Sequence, residues 1–129
     1  MVPKYIEDDI VKYNDKIMVI KEPRDGSHFD LFCPQEGSVY CLVDVEEIKP
    51  IPITSEILEK NRWKKKMYCD WCHYLPIEGN ILYLSKGIGI DGAFSVDVGQ
   101  GMSHIACISF VHQLQHLFFG FGLSSKMEV

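Results

Sequence analysis

The sequence lacks an apolar run of the length that a membrane-spanning helix needs. Its longest apolar stretches fall far short of the roughly 20 residues that cross a bilayer. The opening residues, MVPKYIEDDI, also lack the cationic start and apolar core of a secretory signal. We therefore expect a cytoplasmic protein that makes no membrane contact.

Three further absences narrow the class of function. Lysine and arginine number 13 against 18 aspartates and glutamates, so the net charge is −5 and nucleic acid is not an expected partner. The five cysteines are odd in number, and a reducing compartment would keep them as thiols, so no disulfide framework is expected. No Gly-x-Ser-x-Gly or His-Glu-x-x-His motif occurs. We expect a non-enzymatic protein with no catalytic residues and no cofactor.

The first third of the sequence shows the alternation of apolar and polar residues that is typical of β-strands. Residues 9–53 hold four or five short alternating runs separated by turn signals such as Asn14-Asp15 and Asp25-Gly26. Pro23 is read as part of the second of these turns. Short strands joined by tight turns predict a small SH3-like antiparallel β-barrel.

Residues 54–129 predict a mixed helix and strand region. Thr54 is a good N-cap for a short helix, SEILEKNRW, which ends at Asn61. Four strand-like runs follow between residues 67 and 108, and the stretch SFVHQLQHLFFGFG predicts a C-terminal helix before a loose tail. The apolar face of that helix is formed by Val111, Leu114, Phe118 and Phe121.

The whole chain is thus predicted to have an α+β fold with two subdomains packed as one unit. Residues 1–53 form the SH3-like β-barrel. Residues 54–129 form a linking helix and a second antiparallel sheet, which the C-terminal helix covers. Exposed phenylalanines near the end of that helix make a homo-oligomer the expected assembly.

The order of these pieces resembles a family of small uncharacterised proteins from gut bacteria and their phages. The resemblance rests on a hairpin at Tyr13–Lys16, on the proline-rich stretch and helix at Ile48–Trp63, and on the helix at Val111–Phe119. These motifs are architectural, and the family carries no activity that transfers to this chain. The resemblance implies an origin in a phage or another mobile element, and hence a place in the host cytoplasm.

The string Cys69-Asp-Trp-Cys72-His73 has the letters of a haem or zinc motif. Haem attachment is not expected, because the chain shows no export signal. Cys33 and Cys41 could complete four thiolates around zinc, but their spacing is not that of a zinc knuckle. The simpler interpretation is a β-strand, in which Cys69 and His73 face one side and Cys72 the other. A zinc protein using Cys69, Cys72 and His73 stays open as an alternative.

Two other patterns have weaker metal or phosphate character. His112 and His116 are four residues apart on the predicted C-terminal helix, and His104 or Asp97 would have to supply a third metal ligand. The glycine-rich stretch Lys86–Gly92 could cradle a phosphate, although its spacing matches neither a P-loop nor a dinucleotide fingerprint. We expect structural histidines and a simple hairpin connection.

The best candidate for a ligand surface is a run of cations beside aromatic residues. Cations next to aromatic rings can bind phosphates and stack planar rings, although the same cations could equally be the solvated end of a helix. We call this set the basic–aromatic cluster. Together with Lys86 of the glycine-rich stretch, the predicted ligand-binding residues are Arg62, Trp63, Lys64, Lys65, Lys66, Tyr68, Trp71 and Lys86.

The sequence therefore predicts a binding protein of phage or mobile-element origin. Its partner would be a host protein or a small anionic molecule such as a nucleotide, and a nucleotide signal of host defence fits the implied origin. A nucleic-acid-binding module built on the SH3-like barrel is the alternative from a different class.

Overall fold

The computed structural model describes residues 5–66, 69–86, 93–99, 101 and 103–129, and it has an α+β fold. The helices are α1 (Ser55–Lys60) and α2 (Val111–Gly120), with a short 3-10 helix at Val45–Glu47. The strands are β1 (Ile10–Tyr13), β2 (Lys16–Asp25), β3 (His28–Cys33), β4 (Ser38–Asp44), β5 (Lys49–Pro50), β6 (Lys64–Lys66), β7 (Cys69–Ile77), β8 (Asn80–Lys86), β9 (Phe94–Val98) and β10 (Ser103–Ile108). No helix in the described ranges is long and apolar enough to span a membrane.

The first sheet is antiparallel, with the order β4-β3-β2-β1-β5. The predicted Asn14-Asp15 turn is confirmed: both residues have positive φ, 53° and 60°, as a two-residue hairpin turn requires. Among the described strands, β4 and β5 are the sheet edges and no ladder joins them. The sheet is therefore open, and the predicted closure into an SH3-like barrel is not observed.

The second strand runs further than the sequence indicated. Pro23 was expected in a turn, but it lies inside β2 and pairs with Phe29 of β3. The register shifts on both sides of it, between Ile20 and Glu22 and between Pro23 and Asp25. Proline is tolerated in strands at such irregularities, because the interrupted ladder does not need its missing N–H.

The second sheet is an antiparallel meander with the order β10-β9-β8-β7-β6. The predicted strands between residues 67 and 108 are confirmed, including the strand reading of the cysteine–histidine string in β7. Strand β6 was not predicted. The three lysines from Lys64 to Lys66 form an edge strand against β7 and do not extend α1.

The linking helix begins and ends as predicted. Thr54 accepts a hydrogen bond from the N–H of Ile57, and Asn61 ends the helix. Asn61 also exchanges two hydrogen bonds with the backbone of Glu128, at 2.7 and 2.8 Å. The C-terminal tail, predicted to be loose, is thus tied at this point.

The chain divides into two compact units, and each unit is built from two separate stretches of sequence. The first unit contains residues 1–51 and 110–127, and the second contains residues 52–109 with the last two residues. Helix α2 therefore groups with the first sheet, whereas the sequence placed it in one subdomain with the second sheet. Side chains of α2 bond to the segment preceding and beginning β1, as described below.

The core of the first unit lies between the buried residues of its sheet and their neighbours. Its members are Tyr5, Val11, Met18, Ile20, Phe29, Leu31, Cys33, Val43, Val45 and Ile48. On α2, three of the four predicted apolar residues are buried, namely Val111, Leu114 and Phe118. Phe121 is 41% exposed, because it is the C-cap residue and lies past the last helical turn.

Candidate functional site

The second sheet carries two neighbouring rows of polar and aromatic side chains on one face. Directly paired residues of adjacent strands share a face, so the register defines each row. One row crosses all five strands through Lys64, Tyr74, Tyr83, Asp97 and His104. The next row crosses four strands through Cys72, Ser85, Ser95 and Cys107. We call these nine residues the polar face.

The opposite face of the same sheet is apolar, and this explains why the polar side chains share one face. Leu82, Leu84 and Val96 are fully buried, and they alternate along β8 and β9 with members of the polar face. Because side chains alternate between the faces of a strand, burying one face presents the other. The sheet thus positions the polar face as a consequence of its hydrophobic pattern.

Cations and aromatic rings meet at the β6 side of the polar face. Tyr74 and Tyr83 form a cross-strand pair of half-buried rings, and the exposed Lys64 pairs with Tyr74. The ammonium of Lys66 lies 5.7 Å from the centre of the Tyr83 ring, within the range of a cation–π interaction. This corner of the polar face could hold a planar anion.

The basic–aromatic cluster is only partly brought together. Lys64 and Lys66 both reach the polar face, whereas Lys65 pairs with His73 and so belongs to the other face. Trp63 is 2% exposed, so its ring is part of the interior and does not offer a stacking surface to solvent. Arg62 follows α1 with a positive φ of 72°.

The other predicted ligand-binding residues are separated from this corner or lie outside the described residues. Lys86 is exposed at the end of β8, where it pairs with Phe94 on the face opposite the polar face. Tyr68 lies outside the described residues, as does the side chain of Trp71. Of the glycine-rich stretch, only Lys86 is described.

The cysteine–histidine string does not converge on one point. Cys72 and His73 are consecutive residues of β7, so their side chains lie on opposite faces of the sheet. The Ser85 hydroxyl donates to the Cys72 sulfur at 3.5 Å, whereas both ring nitrogens of the buried His73 have no partner among the described residues. Burial lowers the pKa of His73, which favours the neutral ring. The side chain of Cys69 lies outside the described residues, and the remainder contain no group of three or more potential metal ligands.

A separate pocket of about 370 Å³ lies in the first unit, between the segment before β1 and helix α2. Among its lining residues, Nε2 of His116 donates to the buried carboxylate of Asp9, at 2.8 and 2.9 Å from the two oxygens. The Ile6 N–H also donates to Asp9, at 2.8 Å. Burial raises the pKa of Asp9, and these two hydrogen bonds oppose the shift.

The adjacent residue on α2 makes three hydrogen bonds to backbone groups, two of them in the same segment. The buried amide of Gln115 accepts from the Ile10 N–H at 2.8 Å and donates to the carbonyls of Asp8 and Ser125, each at 2.9 Å. All these partners are backbone groups, which would be costly to leave unpaired. We therefore interpret these hydrogen bonds of Asp9, Gln115 and His116 as structural.

The metal site weighed as an alternative for the two helix histidines receives no support from this geometry. Nε2 of His116 is occupied by Asp9, and the buried His112 ring packs against His116 with centroids 5.6 Å apart. His104 and Asp97 belong to the other compact unit. The local sequence gave no signal for the pairing of His116 with Asp9, because the two residues are 107 positions apart.

Tyr74 and Tyr83 are the binding candidates that sequence reasoning missed. The alternation of β7 and β8 assigns them to one face, but only the strand register pairs them with each other and with Lys64. Comparisons with protein-family models, with curated proteins and with solved structures find no significant match to this chain.

Proposed function

We propose that this chain is a non-enzymatic binding protein, and that the tyrosine–lysine corner of its polar face takes a small anion with a planar ring, such as a nucleotide. The observation that carries the proposal is the pair Tyr74–Tyr83 with a lysine beside each ring. The corner consists of Lys64, Lys66, Tyr74 and Tyr83.

The chemistry of this corner suits the two halves of a nucleotide. Every nucleotide base has a π-face that can stack on tyrosine. Replacing such an aromatic residue by alanine weakens binding by about 1–3 kcal/mol per base. The ammonium groups of Lys64 and Lys66 supply positive charge for phosphates. Because the chain as a whole carries −5, this positive charge is local and favours a small ligand over a long polyanion.

The resemblance to proteins of gut bacteria and phages suggests where to look for the ligand. A mobile-element protein that captures a nucleotide would suit a nucleotide signal of host defence. A host protein is the alternative partner, and it would use the same exposed lysines.

Calorimetric titration with ATP and with inorganic triphosphate tests the proposal. We expect ATP to bind more tightly than triphosphate, because only ATP can stack on the tyrosines. Tyr83→Leu should weaken ATP binding about fivefold to a hundredfold, the range that corresponds to one lost stacking contact. Lys66→Gln should weaken it about two- to fivefold and should reduce its salt dependence.

Lys65→Gln is the matched control, because Lys65 lies on the same strand but belongs to the opposite face. It should leave ATP binding unchanged. Equal losses in Lys65→Gln and Lys66→Gln would argue against a defined site, and a lack of measurable heat with ATP and with a panel of cyclic nucleotides at millimolar concentration would refute the proposal.

A further inference from the structure

The far side of the polar face holds a second group of side chains, which a β-bulge brings together. His104 pairs with Asp97 and Cys107 pairs with Ser95, and the register between β9 and β10 shifts between His104 and Ala106. Residues three apart on a regular strand lie on opposite faces. Because the bulge inserts one extra residue, Ile105, both His104 and Cys107 reach the polar face.

These four residues form a connected chain of contacts. Nδ1 of His104 lies 3.3 Å from the Asp97 carboxylate and 2.8 Å from the Ser95 hydroxyl, which itself donates to Asp97 at 3.3 Å. The sulfur of Cys107 lies 3.8 Å from Nε2 of His104.

The chemistry of the partners assigns the imidazole proton. An ionised carboxylate only accepts hydrogen bonds, so Asp97 favours the tautomer with the proton on Nδ1. The lone pair of Nε2 then faces the Cys107 thiol. A thiol beside a neutral imidazole can transfer its proton and become a thiolate, which is the nucleophilic form of cysteine.

The three side chains differ in their exposure to solvent, in accord with different roles. The Asp97 side chain is 14% exposed, so the group that orients the imidazole is shielded from solvent. The His104 side chain is 55% exposed and Cys107 is an exposed free cysteine. A reagent can therefore reach the sulfur directly from solvent.

The geometry points to Cys107 as a nucleophilic thiol that exchanges with small disulfides, with His104 as its base and Asp97 as a positioning residue. Thiol–disulfide exchange needs a base that can take the thiol proton and an open approach to the sulfur, and His104 and the exposure of Cys107 meet these needs. The site does not depend on the proposed nucleotide corner, since it uses different residues.

The exchange step balances without a further reactant. His104 takes the proton of the Cys107 thiol, and the thiolate attacks one sulfur of a disulfide R–S–S–R. A new bond forms between Cys107 and that sulfur as the original S–S bond breaks, and the leaving thiolate recovers the proton from the imidazolium. The products are a mixed disulfide on Cys107 and one free thiol, R–SH.

Cys41 provides an internal comparison, because it is also an exposed free cysteine. We would treat the intact protein with oxidised glutathione from pH 5.5 to 9 and measure each mixed disulfide by peptide mapping. We expect Cys107 to react at least about tenfold faster than Cys41 at pH 7, because His104 can take the proton of the Cys107 thiol. Its rate should also fall less steeply than that of Cys41 as the pH is lowered.

Variants separate the roles of the partners. His104→Gln should reduce the Cys107 rate to that of Cys41, and Asp97→Asn should reduce it in part and move its pH profile to higher pH. His28→Gln is the matched control, since His28 lies 3.2 Å from Asp25 at the start of β3 in the first unit. Equal rates and pH profiles for Cys107 and Cys41 in the unmodified protein would overturn the proposal, and so would an unchanged Cys107 rate in His104→Gln.

Discussion

At the scale of single residues, His112 occupies an unusual environment. It is 4% exposed, and its ring packs against those of Tyr5, Phe110 and His116, with centroids 5.0, 6.0 and 5.6 Å away. Its Nδ1 has no hydrogen-bond partner among the described residues. Burial, and then the nearby charge of His116, lowers the pKa of His112 to about 4. A neutral ring is therefore part of the folded state.

This shift predicts a loss of stability in mild acid. The pKa of His112 lies below that of an unfolded histidine, about 6.5, so the unfolded chain binds more protons between the two values. The free energy of unfolding should thus fall as the pH is lowered from about 6.5 to about 4, by at most about 1.4 kcal/mol per pH unit for this one group. The lowered pKa of His73 acts in the same direction. The raised pKa of Asp9 opposes it near the acid end, because the folded state then binds the Asp9 proton more readily.

Replacing His112 by phenylalanine removes its titration and keeps an aromatic ring among aromatic neighbours. Urea unfolding of His112→Phe at pH 7.5, 6 and 5 should show a shallower loss of stability than the unmodified protein. His28→Gln, at the start of β3, should keep the original slope. An unchanged slope in His112→Phe would contradict the assigned role of burial at this site.

At the scale of elements, β4 contains a bulge that its neighbour strand supports. Leu31 pairs with Tyr40 and Phe29 pairs with Val43, so two residues of β4 oppose Asp30 alone. The buried carboxylate of Asp30 accepts from the Leu42 N–H at 3.0 Å and is paired with Arg24 at 2.6 and 2.7 Å. The ion pair and hydrogen bonds lower the pKa of Asp30 and keep it ionised.

The bulge places Leu42 in a conformation that leucine rarely adopts. Its φ is 53°, and its side chain is 61% exposed. For residues with a Cβ, the left-handed backbone conformation costs about 1–2 kcal/mol of free energy, whereas for glycine it does not. Leu42→Gly should therefore be about 1 kcal/mol more stable than Leu42→Ala, measured by chemical denaturation, after allowing for the greater freedom of glycine in the unfolded chain.

Val39 offers the opposite control on the same strand. It is 45% exposed but has no positive φ, so Val39→Gly should be less stable than Val39→Ala. If both positions gave the same order, the strain assigned to Leu42 would be wrong.

At the scale of the whole molecule, the first unit is made from two separated pieces of chain. Residues 1–51 need residues 110–127 to complete it, and the intervening residues form most of the second unit. The contacts between the two pieces include the Asp9–His116 pair and the hydrogen bonds of Gln115 to Asp8 and Ile10. The end of α2 also exposes Phe119, at 70%, and self-association through this end stays a prediction.

This connectivity predicts that residues 1–51 do not fold cooperatively alone. Adding a peptide of residues 110–127 should restore a cooperative transition, followed by circular dichroism during urea unfolding. The same peptide with Leu114→Asp should fail, because Leu114 is fully buried in the complete chain. Cooperative unfolding of residues 1–51 without the peptide would contradict the prediction.

Local pattern was sufficient for much of the fold. Most of the strands, the Asn14-Asp15 turn, the Thr54 cap and helix α2 were predicted because each depends on neighbours in sequence. Sequence reasoning failed where the ladder is irregular or a partner is distant. Pro23 lies inside a strand because bulges flank it, and α2 groups with the first sheet because its bonding partners lie at the opposite end of the chain.

The sequence by itself determined which face of each regular strand is apolar, and therefore on which face Tyr74 and Tyr83 lie. Only the tertiary structure decided which side chains meet. A bulge at Ile105 moves His104 and Cys107 to one face, and strand period alone would separate them. Asp9 and His116 are 107 positions apart in sequence. They pair because burying the apolar face of α2 fixes where the polar residues of that helix lie. Hydrophobic periodicity is local information, whereas register, bulges and long-range pairing depend on the packing of the whole unit.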